Sequence, residues 1–151
     1  MIALRWIDRE ADAALYAGER RLRYEVLRAP LGMPEGSEEN PQEARCQHCV
    51  AFEPDTGRVV GCVLALPDRD DPTRVKLLQM AVAKDLAGCG IGARLVRELE
   101  RRVRDEGAVE VHMHARMSAR GFYEKLGYSE EGEVFSEVGL PHVRMRRRLD
   151  G

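Results

Sequence analysis

Between Leu77 and Glu100 the chain reads LLQMAVAKDLAGCGIGARLVRELE: a strand pattern, a short polar link, glycines at Gly88, Gly90 and Gly92, and then a helix pattern. Glycine at such a junction lets the backbone adopt conformations that a Cβ forbids and approach a ligand closely. The helix that follows starts with unpaired N–H groups and the positive end of its dipole, which together attract an anion. Strand, glycine loop and helix in that order make a phosphate cradle.

Three kinds of cradle compete. A P-loop requires Lys followed by Ser or Thr after its last glycine, whereas Gly92 is followed by Ala93 and Arg94. The dinucleotide fingerprint G-x-G-x-x-G/A fits formally as Gly88, Gly90 and Ala93, with Glu110 near the place of a ribose-binding acid. Against it, Ala83 to Ala87 separate the strand from the first glycine, and about 60 residues after the cluster are too few for the rest of a doubly wound domain.

The third cradle resembles the acetyl-CoA motif of the GCN5-related N-acetyltransferases (GNAT), Gln/Arg-x-x-Gly-x-Gly/Ala at a strand–loop–helix junction. Here the motif falls on Ala87, Gly88, Cys89, Gly90, Ile91 and Gly92, with alanine in place of the first Gln or Arg. A second segment, ARGFYEKLGY at Ala119 to Tyr128, is similar to the family's late helix and following strand, A-x-x-F-Y-x-K-x-G-F. GEVFSEVGLPHVRM at Gly132 to Met145 and HAR at His114 to Arg116 resemble an ElaA-like branch, so the likeness spans roughly Cys46 to Met145.

The resemblance implies an α+β fold: a single domain over residues 1–151, a mixed, mostly antiparallel sheet with helices on both faces, and a splay at the acetyl-CoA site. It implies acetyl-CoA as acyl donor, no metal, and transfer of the acetyl group to a primary amine of a small molecule, peptide or protein. By position, the backbone of Met80, Ala81 and Val82 meets the thioester carbonyl and pantetheine arm. The loop from Ala87 to Ala93 holds the pyrophosphate, with Phe122 and Tyr123 also at the cofactor. Tyr123 takes the place of the acid that protonates the leaving thiolate, and its neutral form dominates at pH 7. Glu25, His114, Glu137 and His142 are candidates for the base. A non-catalytic acyl-CoA-binding or sensing module of the same fold is the alternative, and a nicotinamide-cofactor protein is a second rival.

The composition agrees with a small soluble protein. A length of 151 residues is enough for one substantial core, and a net charge of −2 gives no general push toward nucleic acid or membrane. No stretch approaches the ~20 apolar residues of a membrane span. The opening MIALRWIDREAD reaches acids too early for a secretory signal, so a cytoplasmic protein is expected. A homodimer is left open. Cys46 and Cys49 have C-x-x-C spacing around His48, but no second pair follows and Cys62 stands apart, so reduced thiols are expected rather than a metal or disulfide. Cys89, at a helix start, favours thiolate by position but reads as a small loop residue.

The elements that must position these groups follow from periodicity. Strands are predicted at Ile2 to Ile7, Cys46 to Phe52, Arg58 to Leu66, Val75 to Val82 and Val109 to His114, with two more closing the chain. Helices are predicted at Arg9 to Arg28, with a stripe of Ala13, Tyr16, Leu22, Val26 and Leu27, at Ile91 to Arg104, and at Ser118 to Lys125. Pro30 and Gly32 end the first helix, and GMPEGSEENPQE reads as an exposed loop whose acids (Glu35, Glu38, Glu39, Glu43) are solvated or steer a cationic amine. The terminal arginines, Arg144 and Arg146 to Arg148, read as an exposed strand face.

Overall fold

The computed structural model describes residues 1–149. Seven strands form one sheet: β1 (Ala3–Ile7), β2 (Gln47–Phe52), β3 (Val59–Pro67), β4 (Arg74–Val82), β5 (Glu110–Arg116), β6 (Ser129–Glu137) and β7 (Leu140–Arg148). Their order is β1-β2-β3-β4-β5-β7-β6. The β1–β2, β2–β3, β5–β7 and β6–β7 pairs are antiparallel, and β4–β5 is parallel. Three α-helices, α1 (Ala13–Arg23), α2 (Ile91–Asp105) and α3 (Arg120–Lys125), complete the predicted order. No described helix is long and apolar enough to cross a membrane.

The chain divides into two compact units, one of Met1–Leu66 with Gln79–Leu99, the other of Pro67–Leu78 with Glu100 onward. In the first, β2 and β3 are continuous apolar runs rather than alternating ones, because both faces are covered: Cys49 to Ala51 and Val60 to Ala65 have almost no exposure. Gly61 lets α2 lie directly on β3, since a Cβ there would stand 2.9 Å from both Ile91 Cγ2 and Leu95 Cδ1. Along α2, Leu95, Val96, Leu99 and Val103 are buried, while Arg94, Arg97, Arg101 and Arg104 remain exposed.

In the second unit β5 pairs with β7 along its whole length, from Glu110↔Arg148 to Arg116↔His142. Its pairing with β4 covers only Arg74↔Glu110, Val75↔Val111 and Lys76↔His112. The β6–β7 hairpin turns at Val138 and Gly139, both with positive φ (48° and 76°), the pattern of a two-residue type I′ turn.

Three expectations need correction. The first helix begins at Ala13, not Arg9, because the Asp8 carboxylate accepts the Glu10 and Ala11 amides in a turn of its own (2.9 and 2.8 Å). It continues beyond Arg23 as a π-helical turn, Tyr24–Arg28, and a 3₁₀ turn closed by Gly32 at φ 73°. Its buried residues are Glu19, Leu22 and Arg23; of the expected stripe Leu22 is buried and Tyr16, Val26 and Leu27 are half-buried, while Ala13 is exposed. The helix expected from Ser118 is a 3₁₀ turn at Met117–Ala119 followed by the short α3. Finally, the acidic 35–43 stretch is solvated only in part: Glu35 and Glu39 are exposed, whereas Glu38 and Glu43 are 4% and 6% exposed and bonded to arginines of α1.

Candidate active site

After β4 the chain makes one 3₁₀ turn, Lys84–Leu86, and reaches the glycine loop. Gly88 and Gly90 hold φ of 80° and 84°, where an L side chain is strained. No atom lies within 4 Å of where their Cβ would be, and Ala87 to Gly90 are all exposed, so the loop presents bare backbone to open space. Gly92 lies inside α2. The helix starts at Ile91, and its first turn carries no acid to compete for the anion site at its N-terminus. Cys89 is exposed, whereas Cys49 and Cys62 are buried and Cys46 lies between; none of the four forms a disulfide. Burial pushes the Cys46 thiol up to about 11 and Cys62 well above its ordinary value, so neither is a thiolate at neutral pH.

Upstream of the loop, where the family resemblance implies a bulged, splayed strand, β4 departs from regular geometry at one residue. Gln79 has φ 46°, a left-handed conformation inside a strand, which costs a non-glycine residue about 1–2 kcal/mol. Its Nε2 donates to the Glu38 carbonyl at 3.0 Å, and its own carbonyl accepts the Cys62 thiol at 3.4 Å. Met80, Ala81 and Val82 follow this bulge directly, so the three residues expected at the thioester lie where the strand departs from regular geometry.

Behind Gln79 is a buried ionic cluster on α1, β2 and the 38–45 stretch. Arg23, with no exposure, donates through Nη1 to Glu19 and Glu43 (2.9 and 2.7 Å) and through Nη2 to Glu43 and the Glu38 carbonyl (2.9 and 2.7 Å). His48 Nδ1 faces both Glu19 oxygens at 3.0 Å, and Nε2 faces the Glu43 carbonyl at 3.2 Å. Both ring nitrogens therefore meet acceptors, which is the environment of an imidazolium. Burial lowers the pKa of His48, but the Glu19 carboxylate outweighs it and the net direction is up. Burial likewise raises Glu43, yet hydrogen bonds from Arg23 and Tyr16 pull it down to about 2. Ligand atoms of Glu19, Glu43 and His48 lie within 4.8 Å of one another, a spacing suited to a metal. The Arg23 guanidinium already supplies the cation between those carboxylates.

In the second unit the structure brings together three of the four candidates for the base. Glu137 holds His114 Nδ1 at 2.9 Å through one oxygen and faces His142 Nε2 at 3.7 Å through the other. His142 Nδ1 donates to the Leu140 carbonyl at 2.9 Å, which fixes its proton and leaves Nε2 as the nitrogen that can accept one. Phe135 lies between the imidazoles, edge-on to His114 (5.0 Å) and tilted against His142 (6.0 Å). Burial would raise Glu137, but its hydrogen bond with His114 outweighs that and the net direction is down, so it remains a carboxylate.

Tyr123 belongs to a different cluster, edge-on to Phe122 and Tyr128 (5.0 and 5.8 Å). It is 5% exposed, and burial alone pushes its hydroxyl well above the ordinary phenol value. Glu25, in the first unit, is exposed and paired with Arg21 at 3.1 Å. His112, which shares a strand face with His114, is pushed down by burial and by Arg74, and its Nε2 is buried without a partner among the described residues.

The profile of the acetyltransferase (GNAT) domain matches residues 33–149. A Bacillus subtilis protein described as an acetyltransferase is 39% identical over 75 residues, 50% of this chain and 51% of its own, so the chain spans about half the length of that relative. Among solved structures, Escherichia coli ElaA superposes with a TM-score of 0.79 at 20% identity, covering 97% of this chain and 99% of the other. An aminoglycoside 6′-N-acetyltransferase complexed with coenzyme A superposes at 0.77 and 20% identity, covering 97% of each chain. These two likenesses establish a shared fold.

Proposed function

Because the chain belongs to the GNAT acetyltransferase family, we propose that it transfers an acetyl group from acetyl-CoA to a primary amine of a small molecule, peptide or protein. The observation that carries this reading is the glycine loop: exposed backbone at Gly88 and Gly90, open space in front of both, and the start of α2 immediately behind. Such a loop fits the pyrophosphate of CoA, and the coenzyme A complex of the aminoglycoside enzyme with this fold supports that choice of ligand.

In the transfer the amine nitrogen bonds to the thioester carbonyl carbon and the carbon–sulfur bond breaks. The amine gives up a proton and the sulfur gains one. The backbone from Ala87 to Ala93 holds the pyrophosphate, and that of Met80, Ala81 and Val82 polarises the carbonyl. Tyr123 keeps its proton at neutral pH and delivers it to the leaving sulfur. His142 accepts the amine proton at Nε2, directly or through water, while Glu137 stabilises the imidazolium and His114 steadies Glu137. Tyr123→Phe is expected to lower turnover about 100-fold, the scale of a lost general acid, with acetyl-CoA affinity little changed. Equal loss of both would make Tyr123 structural.

One observation favours a second reading, an acyl-CoA-binding module that does not turn over. A phenol buried as deeply as Tyr123 holds its proton more tightly than a free one and gives it up less readily to a thiolate. Calorimetric titration with acetyl-CoA, CoA and NAD, followed by a screen of amines for CoA release, separates the cases. Binding of both CoA species with release of CoA supports the enzyme, and binding without release supports the module. A response to NAD instead would return the loop to the dinucleotide class.

A further inference from the structure

Gln79 carries two penalties that stability does not explain. Its φ of 46° is unfavourable for any residue with a side chain, and its Oε1 is buried with no partner among the described residues. The side chain spends its hydrogen bonding on one contact, from Nε2 to the carbonyl of Glu38, 41 positions away in the chain. That carbonyl cannot drift, because Arg23 Nη2 grips it at 2.7 Å while Nη1 of the same guanidinium is held by Glu19 and Glu43.

The backbone of Gln79 is fixed from the other side as well. Its carbonyl accepts the thiol of Cys62 on β3, a residue with no exposure. In a planar trans peptide the next N–H points opposite to that carbonyl. With the Gln79 carbonyl aimed at Cys62, the Met80 N–H points away from Cys62. The orientation of this one peptide is thus set by two anchors, the Cys62 thiol and the Arg23-clamped carbonyl of Glu38.

We propose that Gln79 is a positioning residue for the acyl donor: its side-chain amide, tied to the Glu38 carbonyl, fixes the bulge that aims the Met80 N–H and the following backbone at the thioester carbonyl. The role rests on the acetyl-CoA reading above and adds to it the reason that the strand departs from regular geometry at this residue. It also gives the buried cluster of Glu19, Arg23, Glu43 and His48 a task, as the fixed point from which the bulge is hung.

The test uses two ligands that differ only at the acyl group. The Gly88–Gly90 loop holds the pyrophosphate of acetyl-CoA and of CoA alike, whereas only acetyl-CoA offers a carbonyl to the Met80 region. Dissociation constants for both are measured by calorimetry on the wild type, on Gln79→Met, which keeps the bulk without the donor, and on Gln79→Gly, which relieves the backbone strain. In both variants the affinity for acetyl-CoA relative to CoA is expected to fall about fivefold, the scale of one hydrogen bond, with CoA affinity unchanged. Gln79→Gly should melt no lower than the wild type, so that the loss is one of aim rather than of folding. Variants that weaken both ligands equally, or neither, would overturn the role while leaving the acetyl-CoA reading intact. A wild type that binds neither ligand would overturn both.

Discussion

Gln79 and Val138 are the two non-glycine residues with positive φ among those described, at 46° and 48°, and they sustain the same backbone strain by opposite means. Gln79 lies inside β4 and is anchored by its side chain to a buried guanidinium cluster. Val138 is 39% exposed at the tip of the β6–β7 hairpin, and its side chain has no polar group with which to anchor anything. What holds Val138 is the register on either side, Glu137↔Leu140 and Ser136↔Pro141, followed by Gly139 as the natural second residue of the turn. A β-branched residue is a poor occupant of that conformation. Strain tied to a charged interior is part of how a site is built, while strain at a free hairpin tip can be removed with little else moving.

Breaking the buried anchor should have the largest effect. Arg23→Ala leaves Glu19 and Glu43 uncompensated in the interior and is expected to cost about 3–5 kcal/mol in denaturant unfolding. A loss below about 1 kcal/mol would show that the cluster carries little of the fold. The next effect is its pH dependence. His48 is raised above its ordinary 6.5, so its contribution to stability is complete below that pH and is lost as pH climbs through the higher folded-state value. Glu43, lowered from 4.5 to about 2, contributes above 4.5 and loses its contribution as pH falls toward 2. Urea midpoints should therefore be highest between these two limits and decline on both sides, and His48→Gln should remove the alkaline decline. A midpoint that stays level above pH 6.5 in the wild type would mean that His48 is not charged in the fold. The smallest effect belongs to the hairpin: Val138→Asn, which suits a turn with φ > 0, should raise stability by about 1 kcal/mol. An unchanged or lower melting temperature would show that the valine is held by more than register.

The same contrast governs what the sequence reveals. Elements with one clear periodicity were legible to within a few residues, as in the β2–β3 hairpin and the Ile91–Asp105 helix, while the two closing strands were expected without bounds. The glycine loop was legible because φ near 80° leaves few residues able to occupy Gly88 and Gly90. Charged residues that end up buried were not. Glu38 and Glu43 sit in a stretch rich in proline, glycine and acid, which reads as solvated, and only tertiary pairing with Arg20 and Arg23 shows otherwise. Arg147 was read as part of an exposed arginine face, yet it is half-buried and bonded to Glu100, which also takes the Tyr128 hydroxyl. Long-range pairing leaves no local periodicity, so the meeting of His114, Glu137 and His142 becomes visible only when β5, β6 and β7 are brought into register.

The close seat of α2 on Gly61 bears on how genetic variation in this chain would be read. Thirty residues separate position 61 from Ile91, the first residue of that helix, and the two are nearly in contact. A methyl group at 61 would press on the Ile91 and Leu95 side chains, so the leading end of α2 would have to repack, next to the loop that Gly88 and Gly90 shape. An inherited alanine there would look innocuous by chemistry and by distance along the chain, yet it would disturb the start of a helix 30 positions away. Position 61 belongs, in that sense, to the seat of α2.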